Sequence, residues 1–270
     1  MTTFQLGDLA LRGVDVGSGS PVVFQHGLGG GEAQVAESFP STPGLRRLTL
    51  ECRGHGTSAL GPVAELSVAQ FAQDVLAFVD SRGVTRFAAG GISMGAAIAL
   101  RLAALYPERV TALALVRPSW VDTPAPPNLM SFQVVAPYLR MDDPAQGWAD
   151  FQTTAAARDL RERGPDNLAS LEGFFRSPRR LDLADLAERI TASGPEVPRE
   201  RFRTLTMPVL VIGNGQDAVH PLATAQELAH LIPGARLEIV PSKALDKAAY
   251  LTALHAVLGD FFTAHAGPRG

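Results

Sequence analysis

A single cysteine, Cys52, among 270 residues rules out an internal disulfide framework and fits a reducing cytoplasm, the expected compartment. It follows a strand-like run, where a small buried side chain is the expected role. No apolar run approaches the ~18 residues that a membrane span needs, so no membrane partner is expected. Basic residues do not cluster. The arginines between Arg158 and Arg203 are spread among acids and prolines, as on a solvated face, and the net charge is only -3. Nucleic acid is therefore not an expected partner. The opening Met1-Thr2-Thr3-Phe4 runs straight into strand-like sequence, without a basic and apolar signal segment. The glycines after Phe24 have neither the G-x-G-x-x-G spacing of a dinucleotide site nor the lysine of a phosphate loop. No metal-ligand cluster appears either, so neither cofactor nor metal is expected, and the partner is a small-molecule substrate.

What is present is organised around Gly90-Gly91-Ile92-Ser93-Met94-Gly95. An apolar run over 84–89 leads into it, and an alanine-rich helical stretch from Ala96 to Tyr106 leads out. Strand, tight glycine turn and helix form the context in which G-x-S-x-G raises a serine hydroxyl at a sheet edge. The flanking glycines remove side chains that would collide with neighbouring backbone.

Strand and helix signals alternate on both sides of this turn. Two antiparallel strands are expected between Phe4 and Val16, turned at Gly7-Asp8. Further strands are expected over 21–25, 45–51, 110–116, 209–212 and 236–240. Ser67 caps a predicted helix running to about Ser81, and helices are also expected over 221–231 and 246–265. From Pro118 to about Thr206 there is no strand signal, but aromatic and sulfur side chains recur: Trp120, Met130, Phe132, Tyr138, Trp148, Phe151, Phe174 and Phe175. The expected architecture is an α/β core of residues 1–117 and 207–270. Its mostly parallel sheet carries helices on both faces, and a helical lid, residues 118–206, is inserted after the sixth strand. Only the tail, Gly267 to Gly270, is expected to fray.

In these motifs and their order the chain resembles the α/β-hydrolase superfamily. His26-Gly27-Leu28-Gly29 is similar to that family's oxyanion loop, and Arg53-Gly54-His55-Gly56-Thr57-Ser58 to its loop after the fourth strand. Gly90 to Gly95 matches the nucleophile elbow, and Asp217-Ala218-Val219-His220-Pro221 resembles the acid-bearing loop. The resemblance implies Ser93 as nucleophile, Asp217 as the acid that orients a histidine, and the amides of Leu28 and Met94 as an oxyanion hole. Each such donor is worth about 2.7–4 kcal/mol of transition-state stabilisation. It implies structural roles for His26 and His55.

The chain departs from that pattern at the base. The family places a histidine after the last strand, whereas here the stretch reads Pro241-Ser242-Lys243-Ala244-Leu245-Asp246-Lys247. A serine hydroxyl without a base is barely nucleophilic at neutral pH. His220, three residues beyond Asp217, is the leading replacement. Lys243 with a depressed pKa and His255 are weaker alternatives, and core packing accounts better for Tyr250, whose phenol is a poor base at pH 7. His230 and His265 lie on an amphipathic helix and in the tail. Two functions stay open. One is hydrolysis of an ester, thioester or amide with a small apolar acyl group. The other is a diverged chemistry, such as a lyase or cyclisation step or ligand binding alone.

Overall fold

Runs of Val, Leu, Phe and Ala that are apolar on both faces demand cover on both sides, and this requirement sets the architecture of the computed structural model. It describes residues 2–267; of the tail expected to fray, residues 268–270 lie outside the described residues. Eight strands form one sheet: β1 Thr2–Leu6, β2 Leu9–Gly17, β3 Ser20–Gln25, β4 Leu45–Leu50, β5 Phe87–Ile92, β6 Val110–Val116, β7 Val209–Gly213 and β8 Arg236–Ile239. Their spatial order is β1-β2-β4-β3-β5-β6-β7-β8. The first two strands and the β2–β4 pairing are antiparallel, and every other pairing is parallel. Strands β5 and β6 are buried along their whole lengths, as expected for the middle of a doubly covered sheet.

The helices of the core are α1 Glu32–Ser38, α2 Val68–Ser81, α3 Met94–Leu105, α10 Leu222–Leu231 and α11 Lys247–His265. Between β6 and β7 come α4 Met130–Leu139, α5 Pro144–Gln152, α6 Ala155–Arg163, α7 Pro165–Arg176, α8 Arg180–Ala192 and the short α9 Arg199–Phe202. One apolar cluster joins Val35, Leu254, Leu258 and Phe262 of α1 and α11 to Val22, Phe24 and Ala114 of the sheet. A larger one joins α2, α3 and α10 to the other face and continues into the segment between β6 and β7. The Ser67 cap is present, its side chain accepting from Gln70 N at 3.0 Å. A buried pair fixes the loop after β4 to α2: Arg53 Nε donates to Asp74 Oδ2 at 2.7 Å, and both side chains are almost fully excluded from solvent.

The differences from expectation are local. The run feeding the elbow was predicted over 84–89, but the strand occupies Phe87–Ile92 and takes in Gly90 and Gly91. Glycine has low strand propensity, yet both glycines are paired with β3 and β6, because tertiary packing overrides propensity here. Helix α1 was not predicted at all. It is short, and it is held by the ion pair of Glu32 with Arg47, 2.6 Å, rather than by a strong sequence pattern.

At the elbow, β5 runs directly into α3 through Ser93, whose φ of 55° lies in the left-handed region. The crossing is tight. A Cβ on Gly95 would sit 2.3 Å from Gln25 O, and one on Gly91 would sit 2.5 Å from the Gly95 carbonyl carbon. Both obstacles are backbone, so they cannot swing aside. Gly95→Ala is therefore expected to lose about 1–3 kcal/mol of stability by overpacking, read as a lower urea midpoint. An unchanged midpoint would show that the approach of α3 to β3 is not the constraint described.

Candidate active site

The residues of interest gather at the carboxyl ends of the parallel strands, where an open α/β sheet offers a crevice. Ser93 leaves β5, and Arg117 and Ser119 leave β6. Asp217 and His220 lie on the loop after β7, and Lys243 on the loop after β8. The strained turn at Ser93 is held by its own N–H, which donates to Val116 O at 3.0 Å. Arg117, next along from Val116, also has a positive φ, 47°. The two turns therefore lock each other at the centre of the sheet.

A small, partly enclosed cavity of about 60 Å³ lies between these loops and the helical insertion. Ser93 and His220 both line it, together with Leu28 of the glycine loop. So do Phe132 of α4 and Asp166, Asn167 and Ser170 of α7. Larger hollows exist elsewhere, but none of them is lined by Ser93 or His220. The chemistry of the lining side chains, not size, makes this cavity the candidate.

His220 is fixed by its own loop. Its Nδ1 donates to Asp217 Oδ1 at 2.8 Å, and its backbone N–H donates to the same oxygen at 3.0 Å. Asp217 Oδ2 accepts from Arg117 Nε at 2.6 Å. The Asn214 amide, with its nitrogen turned to the acid, donates to that oxygen at 3.1 Å and accepts from Lys243 N at 3.2 Å. Burial opposes ionisation of Asp217, but His220 and Arg117, with the bonds they donate, hold its carboxyl below the usual carboxylate range. Burial lowers the pKa of His220 below 6.5, so at neutral pH the ring is uncharged. With Nδ1 carrying the proton toward Asp217, Nε2 keeps a free lone pair. Among the described residues, Nε2 accepts no hydrogen bond.

Ser93 Oγ pairs with Ser119 Oγ at 3.2 Å, and no hydrogen bond links it to His220 among the described residues. Leu28 and Met94 each keep an unspent amide. Gly27 N donates to Gln34 Oε1, 2.7 Å, Gly29 N donates to His55 Nε2, 3.1 Å, and among the described residues no acceptor takes the Leu28 N–H between them. Met94 is the first residue of α3, where the N–H has no intrahelical partner.

The other histidines tie loops together. His26 Nδ1 donates to Gly27 O at 2.8 Å while its Nε2 accepts from Cys52 N at 3.0 Å. His55 Nδ1 likewise donates to Arg53 O, 3.0 Å. Burial depresses both pKa values, that of His55 strongly, and their rings lie 4.7 Å apart, so both stay neutral. His255 Nε2 meets Glu37 O at 2.8 Å and joins α11 to α1, away from the cavity. Tyr250 is buried, and its ring packs 5.8 Å from the Arg117 guanidinium carbon instead of lining the cavity. Lys243 does line it, with its pKa lowered by burial and then by Arg117, and its Nζ lies 4.0 Å from Asp166 Oδ2. Burial pushes the Cys52 thiol well up, which leaves it inert.

Several residues here carried no recognisable sequence signal. Arg117 ends an apolar strand and bridges two carboxylates, donating to Asp166 Oδ2 at 2.8 Å as well as to Asp217. Asn128 Nδ2 donates to Ser119 O, 3.0 Å, and to Val219 O, 2.7 Å. Asn167 Oδ1 accepts from Val219 N at 3.2 Å. The acid loop is thus pinned from the insertion at two points, by Asn128 and Asn167, and by Arg117 from the end of β6. A charged residue closing an otherwise apolar strand was the one available clue. The aromatics of the insertion mostly serve its own packing, with Tyr138, Trp148, Phe151 and Phe175 forming a ring cluster, and only Phe132 reaches the cavity.

This arrangement, a serine on a strained strand-to-helix turn beside a glycine loop and an acid loop, is that of an α/β-hydrolase-fold protein. Residues 20–245 match the alpha/beta hydrolase fold family, and the chain belongs to it. It is 30% identical over 238 residues to RutD of Klebsiella pneumoniae, whose name proposes it as a carbamate hydrolase, covering 83% of this chain and 84% of that one. It is also 28% identical to a 2-hydroxymuconate semialdehyde hydrolase of Pseudomonas putida, with 83% of this chain and 80% of that one covered. The fold is shared with the enol-lactonase of Burkholderia xenovorans LB400 at a TM-score of 0.76 and 24% identity, over 97% of this chain and 100% of that one.

Arg117 carries a testable consequence. Both its side chain and that of Asp217 are nearly inaccessible, so removing the guanidinium leaves the buried Asp217 carboxylate without a cation. Arg117→Ala is expected to cost about 3–5 kcal/mol at neutral pH. Because the folded pKa of Asp217 is depressed, that contribution is fully present above its ordinary value of 3.8 and is lost as the pH falls through the folded one. The gap between variant and wild type, measured by urea unfolding, should therefore narrow as acid protonates the uncompensated Asp217 of the variant and close fully only below pH 3.8. A gap that vanished by pH 6 would contradict this assignment.

Proposed function

We propose that the protein is a serine hydrolase of small acyl compounds, with Ser93 as nucleophile, His220 as base and Asp217 as the acid that orients it. One observation carries the reading: Ser93 and the Asp217-bound His220 line the same cavity as Leu28, and Met94, which follows Ser93 at the start of α3, keeps its amide unspent. In the first step Ser93 Oγ attacks the carbonyl carbon and its proton passes to His220 Nε2. The carbonyl oxygen takes the negative charge and is held by the Leu28 and Met94 N–H groups. His220 then gives the proton to the leaving group, and water, deprotonated by the same nitrogen, releases the acyl group from Ser93.

The Ser119 contact supports this use of Ser93. Ser119 is buried, and its hydroxyl has no acceptor other than Ser93 Oγ among the described residues. An unpaired O–H there would cost about 1–3 kcal/mol, so Ser119 donates. That leaves the Ser93 proton free to face the cavity.

The cavity is small, about 60 Å³, which favours a compact acyl group. Its polar lining narrows the earlier expectation of an apolar acyl group to a compact one. The names of the three proteins compared above, two hydrolases and a lactonase, fit hydrolysis better than the lyase or binding alternative.

A fluorophosphonate probe should label Ser93 rapidly, and His220→Ala should lower kcat/KM for a short aryl ester by about 10²–10⁴-fold without unfolding the chain. The base must be neutral, so wild-type kcat/KM should be level above pH 6.5 and fall on the acid side with a midpoint below it. An inert Ser93, or near-normal turnover by His220→Ala, would sink the reading; retained activity in that variant but loss in Lys243→Ala would transfer the base to Lys243.

A further inference from the structure

Ser119 touches the reacting atom from behind. Its hydroxyl lies 3.2 Å from Ser93 Oγ, yet the residue is 1% exposed and is not among those that line the cavity. A group so placed acts on the reaction only through that oxygen. Its position is well determined. Ser119 stands three residues beyond Val116, whose carbonyl holds Ser93 N at 3.0 Å. The chain reaches it through the left-handed turn at Arg117 and through Pro118, whose ring fixes φ. Asn128 Nδ2 then donates to Ser119 O at 3.0 Å and to Val219 O at 2.7 Å, which ties this stretch to the loop that carries Asp217 and His220. The contact with Ser93 is thus held by the same segments that set the nucleophile and the acid loop.

We propose that Ser119 is a catalytic residue of the second half-reaction, whose hydroxyl stabilises Ser93 Oγ as the leaving oxygen when the acyl group is released. This deepens the hydrolase reading and rests on it. In the free enzyme Oγ is a hydroxyl oxygen and a good acceptor. It remains a good acceptor as its proton passes to His220 and one lone pair attacks the carbonyl, so the bond from Ser119 changes little. In the acyl-enzyme Oγ is an ester oxygen, whose lone pair is shared with the carbonyl and accepts weakly. Attack by water ends that sharing. As the bond from the acyl carbon to Oγ breaks, the oxygen keeps the electron pair and takes the proton from His220 Nε2, while Ser119 retains its own proton. The bond that Ser119 donates is therefore stronger in the transition state of release than in the acyl-enzyme, and only such a difference accelerates a step.

Pre-steady-state kinetics with p-nitrophenyl acetate test the proposal, because the good leaving group makes acylation fast. kcat/KM reports the steps up to departure of nitrophenolate, whereas kcat also takes in release of the acetyl group. Ser119→Ala is expected to slow that release roughly 10- to 100-fold, the range of a hydrogen bond to a group taking on charge. kcat and KM then fall together while kcat/KM holds within about threefold. A burst of nitrophenolate precedes the steady state, and the intact-protein mass shows an acetyl group on Ser93 during turnover. Ser119→Cys, a weaker donor of nearly the same shape, should fall between the two and serves if the alanine variant does not fold. A loss of kcat/KM equal to that of kcat, or acetyl release within about twofold of wild type in the folded variant, overturns the role of Ser119 while leaving the nucleophile intact. No acetyl on Ser93 in any of these proteins, with Ser93 inert to the phosphonate, overturns the underlying reading instead.

Discussion

The hydrogen bond between His220 Nδ1 and Asp217 Oδ1 is the interaction on which the rest of the site depends. It is made within a single turn, with the backbone N–H of His220 bound to the same oxygen. A base that comes from a distant loop has to be brought to its acid by tertiary packing. Here three residues of chain fix the pairing, and packing needs only to set the loop's position over the sheet. That task falls to Arg117, Asn128 and Asn167, all from β6 or the segment that follows it. The same segment provides Phe132 and Asp166 at the cavity wall.

The local pairing also frees the loop after β8. With no histidine to present, that loop carries Lys243 into the cavity wall, next to Asp166 and bonded through its backbone to Asn214. The charges around the cavity then close on one another, Arg117 and Lys243 against Asp166 and Asp217, while His220 is neutral through burial. A closed set of charges lets a low-dielectric site hold ionised groups that would otherwise shift their pKa values or be excluded.

The sheet and its helices were legible in the sequence because each strand is a short apolar run bounded by turn residues. Val110–Val116 stands where the run of Val, Leu and Ala predicted it, and the last helix, expected over 246–265, occupies Lys247–His265 with Asp246 as its cap. The elbow was legible too, since only glycine fits at Gly91 and Gly95 and the serine between them has no other reason to be strained. Ser93, His220 and Leu28 could be named in advance from their loops, and the structure brings them to one cavity. Arg117, Ser119, Asn128 and Asp166 could not be. Their partners lie tens of residues away, and a polar side chain in a loop looks the same in sequence whether it is solvated or buried. Nor could the sequence tell that the insertion's aromatics turn toward one another, because amphipathic spacing marks a buried face and not what it faces.

The central claim is that His220 serves Ser93 in place of a histidine after the last strand. A crystal structure of the protein inactivated by a small phosphonate tests it most directly, since the adduct mimics the tetrahedral stage of acyl transfer. The account predicts phosphorus bonded to Ser93 Oγ, one phosphoryl oxygen between the amides of Leu28 and Met94, and His220 Nε2 within about 3 Å of Oγ or the leaving-group oxygen. An adduct with Lys243 at that position and His220 turned away, or a phosphonate bound to a different residue, would contradict it.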